Sequence, residues 1–383
     1  MIFFDDIPFH EKEKARILQA LKDGRNSHAQ LFYGAPGNGK LAVALAYISA
    51  LLCQQPTERG ACGACPSCRQ MMKLSHPDVQ FVFPTYSSKE EGKTGLSEEF
   101  IAEWREVVNE NIYLNHEDWI AKLNAEKRNM EIRVSDAKAI NDNLSFKSFY
   151  AGYKVVLIWL PEFLGIATAN KLLKNIEEPE SKTLIMMVSE QVHSLMPTIT
   201  SRLQSVHFPR LSKEEVKNEL KARNIDGADV IAELVEGNLN DALNLTHKSE
   251  SLSQLAVYFT RWMRICYSVN MPEIIKIGEE VHKEGRVFAV AFLRFCLQTI
   301  RQTVLSKYKP SVENPLFQRT DFKMVNFAKI INPENAHKLL GEIDEAISDI
   351  QRYGSIKMVI TDLSIRVHYL LKRGEIPEAF NVF

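Results

Sequence analysis

The chain has 383 residues, of which 45% are hydrophobic and 25% are charged. These values are typical of a folded globular protein, and because one hydrophobic core rarely grows beyond roughly 250 to 300 residues, two or three domains are expected. The 47 Lys and Arg residues nearly balance the 48 Asp and Glu residues, which argues against a protein that binds nucleic acid tightly without partners. The first residues carry no leader pattern, and no uninterrupted apolar run reaches the ~20 residues of a membrane span. We therefore expect a cytoplasmic protein.

The first 210 residues alternate between strand and helix patterns. Short apolar runs rich in β-branched and aromatic residues predict strands at residues 29–33, 79–83, 153–159 and 183–189. Helical periodicity predicts helices at residues 10–24, 40–52 and 167–178. Strands that alternate with helices favour a mostly parallel sheet, so the predicted fold class of residues 1–210 is α/β.

The rest of the chain departs from this alternation. Residues 86–128 form a polar insertion, in which Trp104 and Trp119 lie at helical spacing. This spacing favours a local core over rings that stack on nucleic-acid bases. Beyond residue 210 the patterns are helical, and we expect a small helical lid domain at 211–250 and an all-α domain at 251–383. Helix breaks are predicted at Lys309-Pro310, Asn314-Pro315 and Asn332-Pro333.

A glycine-rich turn follows the first predicted strand. Its sequence, Gly34-Ala-Pro-Gly-Asn-Gly-Lys40, matches the phosphate-loop pattern G-x-x-x-x-G-K between a strand and a helix. In such a loop, backbone N–H groups face phosphate oxygens and the lysine neutralises the β- and γ-phosphates. Gly34, Gly37, Gly39 and Lys40 are therefore candidate nucleotide-binding residues. The alternative, equally open, is a turn that serves only as scaffold and binds no ATP.

Two positions that ATP hydrolysis requires carry apolar residues. Leu41 stands where a Ser or Thr would hold Mg²⁺. Trp159-Leu160 follows the strand at which an Asp-Glu pair would organise Mg²⁺ and the attacking water. The first acid after that strand is Glu162, which we interpret as a solvated surface carboxylate. The sequence therefore predicts a degenerate phosphate loop that does not hydrolyse ATP.

Four of the six cysteines are close together in the sequence. Cys53, Cys62, Cys65 and Cys68 have the spacing C-x8-C-x2-C-x2-C, which can close a tetrahedral structural zinc site. An iron–sulfur cluster and a metal-free module with reduced thiols are the alternatives. The remaining two, Cys266 and Cys296, lie within apolar helical patterns and are predicted to be core residues.

Several segments together resemble the AAA+ proteins of the clamp-loader group. Ala169-Asn-Lys-Leu-Leu-Lys-Asn-Ile-Glu-Glu-Pro179 is similar to that group's NALLKTLEEP helix, and Met196-Pro-Thr-Ile-Thr-Ser-Arg202 is similar to its LPTIxSR segment. Further matches, in the same order, are residues 75–78 and 154–158. Within the group, the resemblance is to the delta-prime subunit family of bacterial DNA polymerase III, and it is most convincing over residues 1–210.

This resemblance implies the architecture and the roles of two further residues. It implies an AAA+ P-loop-type sheet with a zinc module at residues 53–78, a helical lid and a helical collar that mediates oligomerisation. Arg202 matches an arginine that enters a neighbouring subunit's ATP site and stabilises charge on the transferred γ-phosphate. A surface or N-capping salt bridge is the simpler, less favoured interpretation. Asn240 stands where active relatives carry a nucleotide-contacting arginine, and capping of a helix is its alternative role.

The function that the resemblance implies is that of a non-hydrolysing clamp-loader subunit. Its partners would be the ATPase (gamma/tau) subunits and the delta subunit, and through the complex the sliding clamp and primer-template DNA. We expect structural zinc, doubtful ATP binding and no enzymatic activity of the isolated chain. A catalytically active AAA+ ATPase with unconventional Mg²⁺ ligation is the first alternative. A zinc-bearing DNA-binding module is the second, and the balanced charge counts against it.

Overall fold

The computed structural model describes residues 3–150, 152–247, 251–306, 317, 320–352 and 354–377. The chain divides into two compact units. The first, the sheet unit, comprises Met1–Glu219 and Glu236–Asn240. The second, the helical unit, comprises Leu220–Val235 and Asp241–Phe383. The residues of the predicted lid, 211–250, are therefore shared between the two units.

The sheet unit is built on five parallel strands among the described residues, in the order β2-β3-β4-β1-β5. The strands are β1 Ala29–Gly34, β2 Val79–Val82, β3 Lys154–Trp159, β4 Thr183–Ser189 and β5 Gln204–Phe208. Strands β3 and β4 are buried along their whole length, as expected for inner strands of a parallel sheet. The parallel sheet and the four strands predicted from apolar runs are confirmed.

Helices connect these strands and make up the described part of the helical unit. In chain order the helices are α1 Glu11–Lys22, α2 Lys40–Leu52, α3 Pro66–Met72, α4 Ile101–Glu110, α5 His116–Lys122, α6 Val134–Ser145, α7 Ile166–Glu177, α8 Pro197–Thr200, α9 Lys213–Ala222, α10 Ala228–Leu234, α11 Leu239–His247, α12 Ser251–Ser268, α13 Met271–Glu284, α14 Arg286–Leu305, α15 Met324–Phe327, α16 Pro333–Gln351 and α17 Ile356–Arg373. The predicted fold class, α/β followed by all-α, is confirmed.

The parallel arrangement places three functional segments at one edge of the sheet. The phosphate loop follows β1, Glu162 lies just beyond β3, and Glu190 directly follows β4. Because these strands are parallel and adjacent, their carboxyl ends meet at the same edge, where α/β proteins bind ligands. The candidate site is therefore built by segments that are distant in sequence.

The insertion at residues 86–128 packs a local aromatic core. Trp104 stacks on Phe83 with ring centroids 5.2 Å apart, and both Trp104 and Trp119 are fully buried. The indole Nε1 of Trp119 donates a hydrogen bond of 2.7 Å to the carbonyl of Pro84. The prediction that these tryptophans form a core is confirmed, and their burial leaves no face on which a base could stack.

We expect Trp119→Ala to lower the free energy of unfolding by about 3–5 kcal/mol, because it removes a buried ring and leaves the Pro84 carbonyl without its donor. Trp119→Phe keeps most of the ring and should cost clearly less. Chemical denaturation of both variants measures the difference. A Trp119→Ala protein within about 1 kcal/mol of the unchanged chain would contradict the core role.

The helical unit has its own hydrophobic core, formed mainly by α12 to α17. Trp262 is buried there and donates a 2.8 Å hydrogen bond from Nε1 to the Ser364 hydroxyl. Cys266 and Cys296 are fully buried, as predicted. The predicted break at Asn332-Pro333 coincides with the N-cap of α16. The breaks predicted at Lys309-Pro310 and Asn314-Pro315 lie outside the described residues.

Helix α14 is the one described helix that is long and apolar enough to cross a membrane by length and composition. Of its most apolar window, 72% is buried within the structure. Phe292, Phe295 and Cys296 on this helix are fully buried in the core of the helical unit. The apolar character of α14 is therefore that of a core helix.

Candidate functional site

The phosphate loop is closely packed on its own unit. A side chain at Gly34 would place Cβ 2.2 Å from the carbonyl oxygen of Phe208, and one at Gly39 would lie 2.5 Å from the ring of Phe9. Gly39 also has a φ of +88°, which L residues rarely adopt. The Asn38 side chain is buried and donates to the Phe208 carbonyl at 2.9 Å. Neighbouring protein atoms thus account for the glycines at 34 and 39.

Lys40 begins α2, and its ammonium group is buried beside acidic side chains. The Lys40 Nζ donates a 3.0 Å hydrogen bond to the Ala35 carbonyl and lies 4.0 Å from Oε1 of Glu190. The side chains of Lys40 and Glu190 are only 5% and 8% exposed. Burial lowers the pKa of the Lys40 ammonium, and the nearby carboxylates of Glu190 and Glu162 oppose that shift. The lysine therefore has negative neighbours supplied by the protein itself.

The positions expected to hold metal and water are apolar in the structure as well. Leu41 is buried in the first turn of α2, and Trp159 and Leu160 are buried at the end of β3. Leu160 has a left-handed backbone with φ of +55° and donates its N–H to the Val188 carbonyl at 2.9 Å. At these three positions the chain provides no oxygen ligand from a side chain.

The interpretation of Glu162 as a solvated surface carboxylate is wrong. Its Oε1 accepts hydrogen bonds from the backbone N–H groups of Glu190, at 2.9 Å, and Gln191, at 3.2 Å. Its Oε2 is buried with no hydrogen-bond partner among the described residues. Burial raises the pKa of the Glu162 carboxyl, against the opposing effects of the backbone hydrogen bonds and Lys40. The turn after β3 folds this side chain back onto the start of the loop after β4.

Glu190 is a site residue that the sequence analysis missed. It directly follows the predicted strand at residues 183–189, and the carboxyl end of a parallel strand is where ligand-binding side chains lie. Its position at the end of a predicted strand was the sequence signal that could have identified Glu190 as a site residue. Its closeness to Lys40 depends on the pairing of β4 with β1, which no local pattern encodes.

The capping role considered for Asn240 is also wrong, since its side chain bonds to the insertion. Asn240 lies inside α11 and is fully buried. Its Nδ2 donates to Asp118 and its Oδ1 accepts from Asn111, each at 2.6 Å. One residue earlier, the Leu239 N–H donates to the Gly37 carbonyl at 3.1 Å. The segment around residue 240 therefore joins the insertion to the phosphate loop.

His116, at the start of α5, packs against the turn that carries Glu162. Its ring centroid lies 4.4 Å from that of Phe163. Burial lowers the pKa of His116 to about 4, from 6.5 for an ordinary histidine. The folded protein thus favours the neutral imidazole.

This shift predicts a loss of stability in mild acid. The contribution of neutral His116 is fully present above pH 6.5 and disappears as the pH falls towards about 4, because the unfolded chain takes up the proton first. The loss reaches up to about 3 kcal/mol. Thermal unfolding between these pH values should show a shallower decline in His116→Gln, whereas the exposed His193→Gln should follow the unchanged chain. Parallel declines in all three proteins would contradict the assignment.

Arg202 lies at the surface at the end of the α8 segment. Its guanidinium forms an ion pair through Nε with Glu177 and donates from one terminal nitrogen to the Thr198 carbonyl at 2.8 Å. Both partners of the ion pair are partly exposed, at 39% and 45%. The simpler interpretation, a surface salt bridge, thus describes the arginine within this chain.

The four cysteines predicted as metal ligands converge. Their sulfur atoms all lie within 4.8 Å of one another, with 3.6 Å between Cys68 and Cys53 and 3.9 Å between Cys62 and Cys68. A tetrahedron with bonds of about 2.3 Å has ligand atoms about 3.8 Å apart. The group has the size and ligand type of a four-thiolate metal site.

Backbone N–H groups point at these sulfurs. Cys53 Sγ accepts from the N–H of Cys62 at 3.2 Å, and Cys65 Sγ accepts from that of Cys68 at 3.4 Å. Backbone hydrogen bonds from Ala64 and Cys65 lower the pKa of Cys62 to about 6. Such bonds favour thiolates, the form that binds metal. His76, beside the cluster, instead accepts the Asp78 N–H on Nδ1 at 3.1 Å.

Comparison with known proteins decides the family. A model of the family described as "DNA polymerase III, delta subunit" matches residues 9–212, a little over half of the chain. The chain belongs to the DNA polymerase III delta-subunit family. A Pseudomonas aeruginosa relative named DNA polymerase III subunit delta' is 32% identical over 178 residues, which cover 46% of this chain and 42% of the relative. This chain thus spans less than half of that relative's length.

Two further similarities extend over more of the chain. An Escherichia coli DNA polymerase III subunit delta' is 23% identical over 376 residues, which cover 96% of both proteins. A solved structure of a DNA polymerase III gamma subunit-related protein from Thermotoga maritima covers 93% of this chain and 99% of that one, with 16% identity and a TM-score of 0.40. The family model and the relatives named subunit delta' confirm the resemblance to the clamp-loader group.

Proposed function

We propose that this chain is a non-hydrolysing subunit of a bacterial DNA polymerase III clamp loader and that it supplies an arginine to a neighbouring ATPase subunit. Its partners would be gamma/tau ATPase subunits and a delta subunit, and through them the sliding clamp and primer-template DNA. In this assembly residues 1–210 are the nucleotide-binding-like domain, 211–250 the lid and 251–383 the collar. Similarity to relatives named delta' supports the proposal.

The observation that carries the non-hydrolysing role is the environment of Lys40. In a hydrolysing site the lysine faces phosphate, and Ser/Thr and Asp side chains hold Mg²⁺ beside it. In this chain Lys40 faces Glu190, while Leu41 and Trp159 fill the metal positions with buried apolar groups. The acidic neighbour of Lys40 and the apolar side chains of Leu41 and Trp159 therefore support a chain that does not hydrolyse ATP by itself.

Arg202 is suited to donation in trans because its present bonds are weak. Exposed ion pairs contribute about 0–1 kcal/mol, so the pairing with Glu177 offers little resistance to a γ-phosphate of higher charge. The guanidinium has planar donors that match phosphate oxygens. It also lies beyond the end of α8, on the surface of the sheet unit. A neighbouring subunit can therefore recruit it without unfolding any helix.

A second function has one observation in its favour. Glu162 and Glu190 place two carboxylates beside Lys40, and carboxylate oxygens are ligands for Mg²⁺. A catalytically active AAA+ ATPase with unconventional Mg²⁺ ligation would use them in this way. Turnover of ATP by the isolated chain separates the two functions, because only the second predicts it.

We further propose that the four-thiolate cluster holds a structural zinc ion. Cys53, Cys62, Cys65 and Cys68 would hold it, and the geometry of four sulfurs leaves no open coordination position for substrate. Bound zinc would keep all four thiols ionised and cross-link the segment that follows α2. Since Cys53 caps the end of α2, the ion would fix α3 to the helix that begins at the phosphate loop.

The zinc proposal predicts metal content and its consequence. Elemental analysis should find about one zinc per chain, and chelation should raise hydrogen exchange in residues 53–78 because the cluster then loses its cross-link. Cys68→Ser should lose the metal, whereas Cys266→Ser, a buried thiol of the helical unit, should retain it. Full zinc content in Cys68→Ser, or none in the unchanged chain, would refute the site.

For Arg202 we expect Arg202→Ala to lower ATP turnover at the neighbour's site roughly a thousandfold in a reconstituted loader, because the transferred phosphate loses its guanidinium. Arg202→Lys should restore little, since an ammonium lacks the planar donors. Arg210→Ala, another exposed arginine with an acidic partner, serves as the matched control and should leave turnover unchanged. Normal turnover with a correctly assembled Arg202→Ala loader would remove the arginine from the proposal.

A further inference from the structure

The phosphate loop ends in a buried cation, Lys40, that has acidic side chains beside it. Lys40 and Glu190 are each more than nine-tenths buried, with 4.0 Å between Nζ and Oε1. Glu162, in the turn after β3, is bonded to the backbone N–H groups of residues 190 and 191, and its carboxylate opposes the lowering of the Lys40 pKa. The two acids come from adjacent parallel strands, so the sheet itself holds them in place.

Charge balance explains why the acids matter. An ammonium removed from water is unfavourable unless an anion or several acceptors compensate it. In a nucleotide-bound loop the β- and γ-phosphates provide this compensation. Here the described partners of Lys40 are one carbonyl, of Ala35, and the acids at positions 190 and 162. The carboxylates thus supply the negative charge that phosphate would bring.

We propose that Glu190 and Glu162 act as an internal anion that takes the place of the terminal phosphate at the Gly34–Lys40 loop, and that neutralising them converts the loop into a site for inorganic phosphate or a nucleoside triphosphate. This inference rests on the proposed non-hydrolysing function and gives a cause for it. The two carboxylates compete with phosphate in two ways: they repel its negative charge, and they interact electrostatically with the Lys40 ammonium that phosphate would need.

Further contacts, made by Gly37 and Gly39, hold the phosphate loop in place. The Leu239 N–H bonds to the Gly37 carbonyl, and the Asn238 amide lies directly against the Gly37 Cα. Phe9 packs on Gly39, with Tyr113 of the insertion next to it. These contacts hold the loop against the rest of the sheet unit, so we expect it to keep its conformation when the acids are replaced.

Thermal unfolding of the full chain with inorganic phosphate tests the inference. At about 10 mM phosphate, with chloride at equal ionic strength as reference, the unchanged chain should not shift. Glu190→Gln and the double variant Glu162→Gln/Glu190→Gln should gain roughly 2–4 °C. Lys40→Met in the Glu190→Gln background should abolish the gain, and the exposed Glu180→Gln should show none. Equilibrium dialysis with MgATP should show binding at least about tenfold tighter in the Gln variants.

Opposite outcomes overturn the inference. Equal stabilisation of the unchanged chain and Glu190→Gln by phosphate would show that the acids do not occupy the site. Weaker MgATP binding in Glu190→Gln would make Glu190 a metal ligand instead. If Glu190→Gln unfolds, adding Lys40→Met should recover most of the lost unfolding temperature, because the charges are then removed as a pair; no recovery contradicts the pairing.

The same measurements separate this inference from the proposed function. An unchanged chain that binds MgATP as tightly as the Gln variants, without hydrolysing it, would contradict the internal anion and leave the non-hydrolysing, arginine-donating role intact. ATP hydrolysis by the unchanged chain would contradict the proposed function, because that function assigns no hydrolysis to this chain. Arg202→Ala bears only on the arginine donation, since Arg202 pairs with Glu177 and makes no contact with Lys40 among the described residues.

Discussion

The charge on the buried Lys40 ammonium is the constraint around which the candidate site is organised. Removing one partner from a buried ion pair typically costs about 3–5 kcal/mol, far more than a surface pair contributes. The start of α2 places this cation in the interior of the sheet unit, where an anion stabilises it. Glu190 fills that requirement from the end of β4, and the turn after β3 adds Glu162.

The same requirement explains why the sheet order is central to the site. Strands β1, β3 and β4 are neighbours, and their carboxyl ends bring together a lysine and two acids that are far apart in sequence. The insertion is joined to the segment beside the phosphate loop by the hydrogen bonds of Asn111 and Asp118 with Asn240. The strand order thus places carboxylates from two loops beside the lysine of the phosphate loop.

Much of this could be predicted from the sequence, and the failures have a common cause. The buried apolar runs gave β3 and β4, and the spacing of Cys53 to Cys68 gave the thiol cluster, because both signals are local. The solvated environment predicted for Glu162 and the capping role considered for Asn240 are both wrong, since these are the usual roles of a polar residue after a strand or near a helix end. Their burial follows from pairings across more than 25 residues of chain, such as Glu162 with Glu190, which periodicity does not contain.

The steric surroundings of Gly34 and Gly39 change how a glycine-rich motif is to be interpreted. The Phe208 carbonyl and the Phe9 ring leave no room for a Cβ at these positions. The packing of the sheet unit therefore requires both glycines, independently of any nucleotide. A motif scan that scores G-x-x-x-x-G-K measures the shape of the turn, and the chemical occupant has to be sought among the side chains that face its lysine.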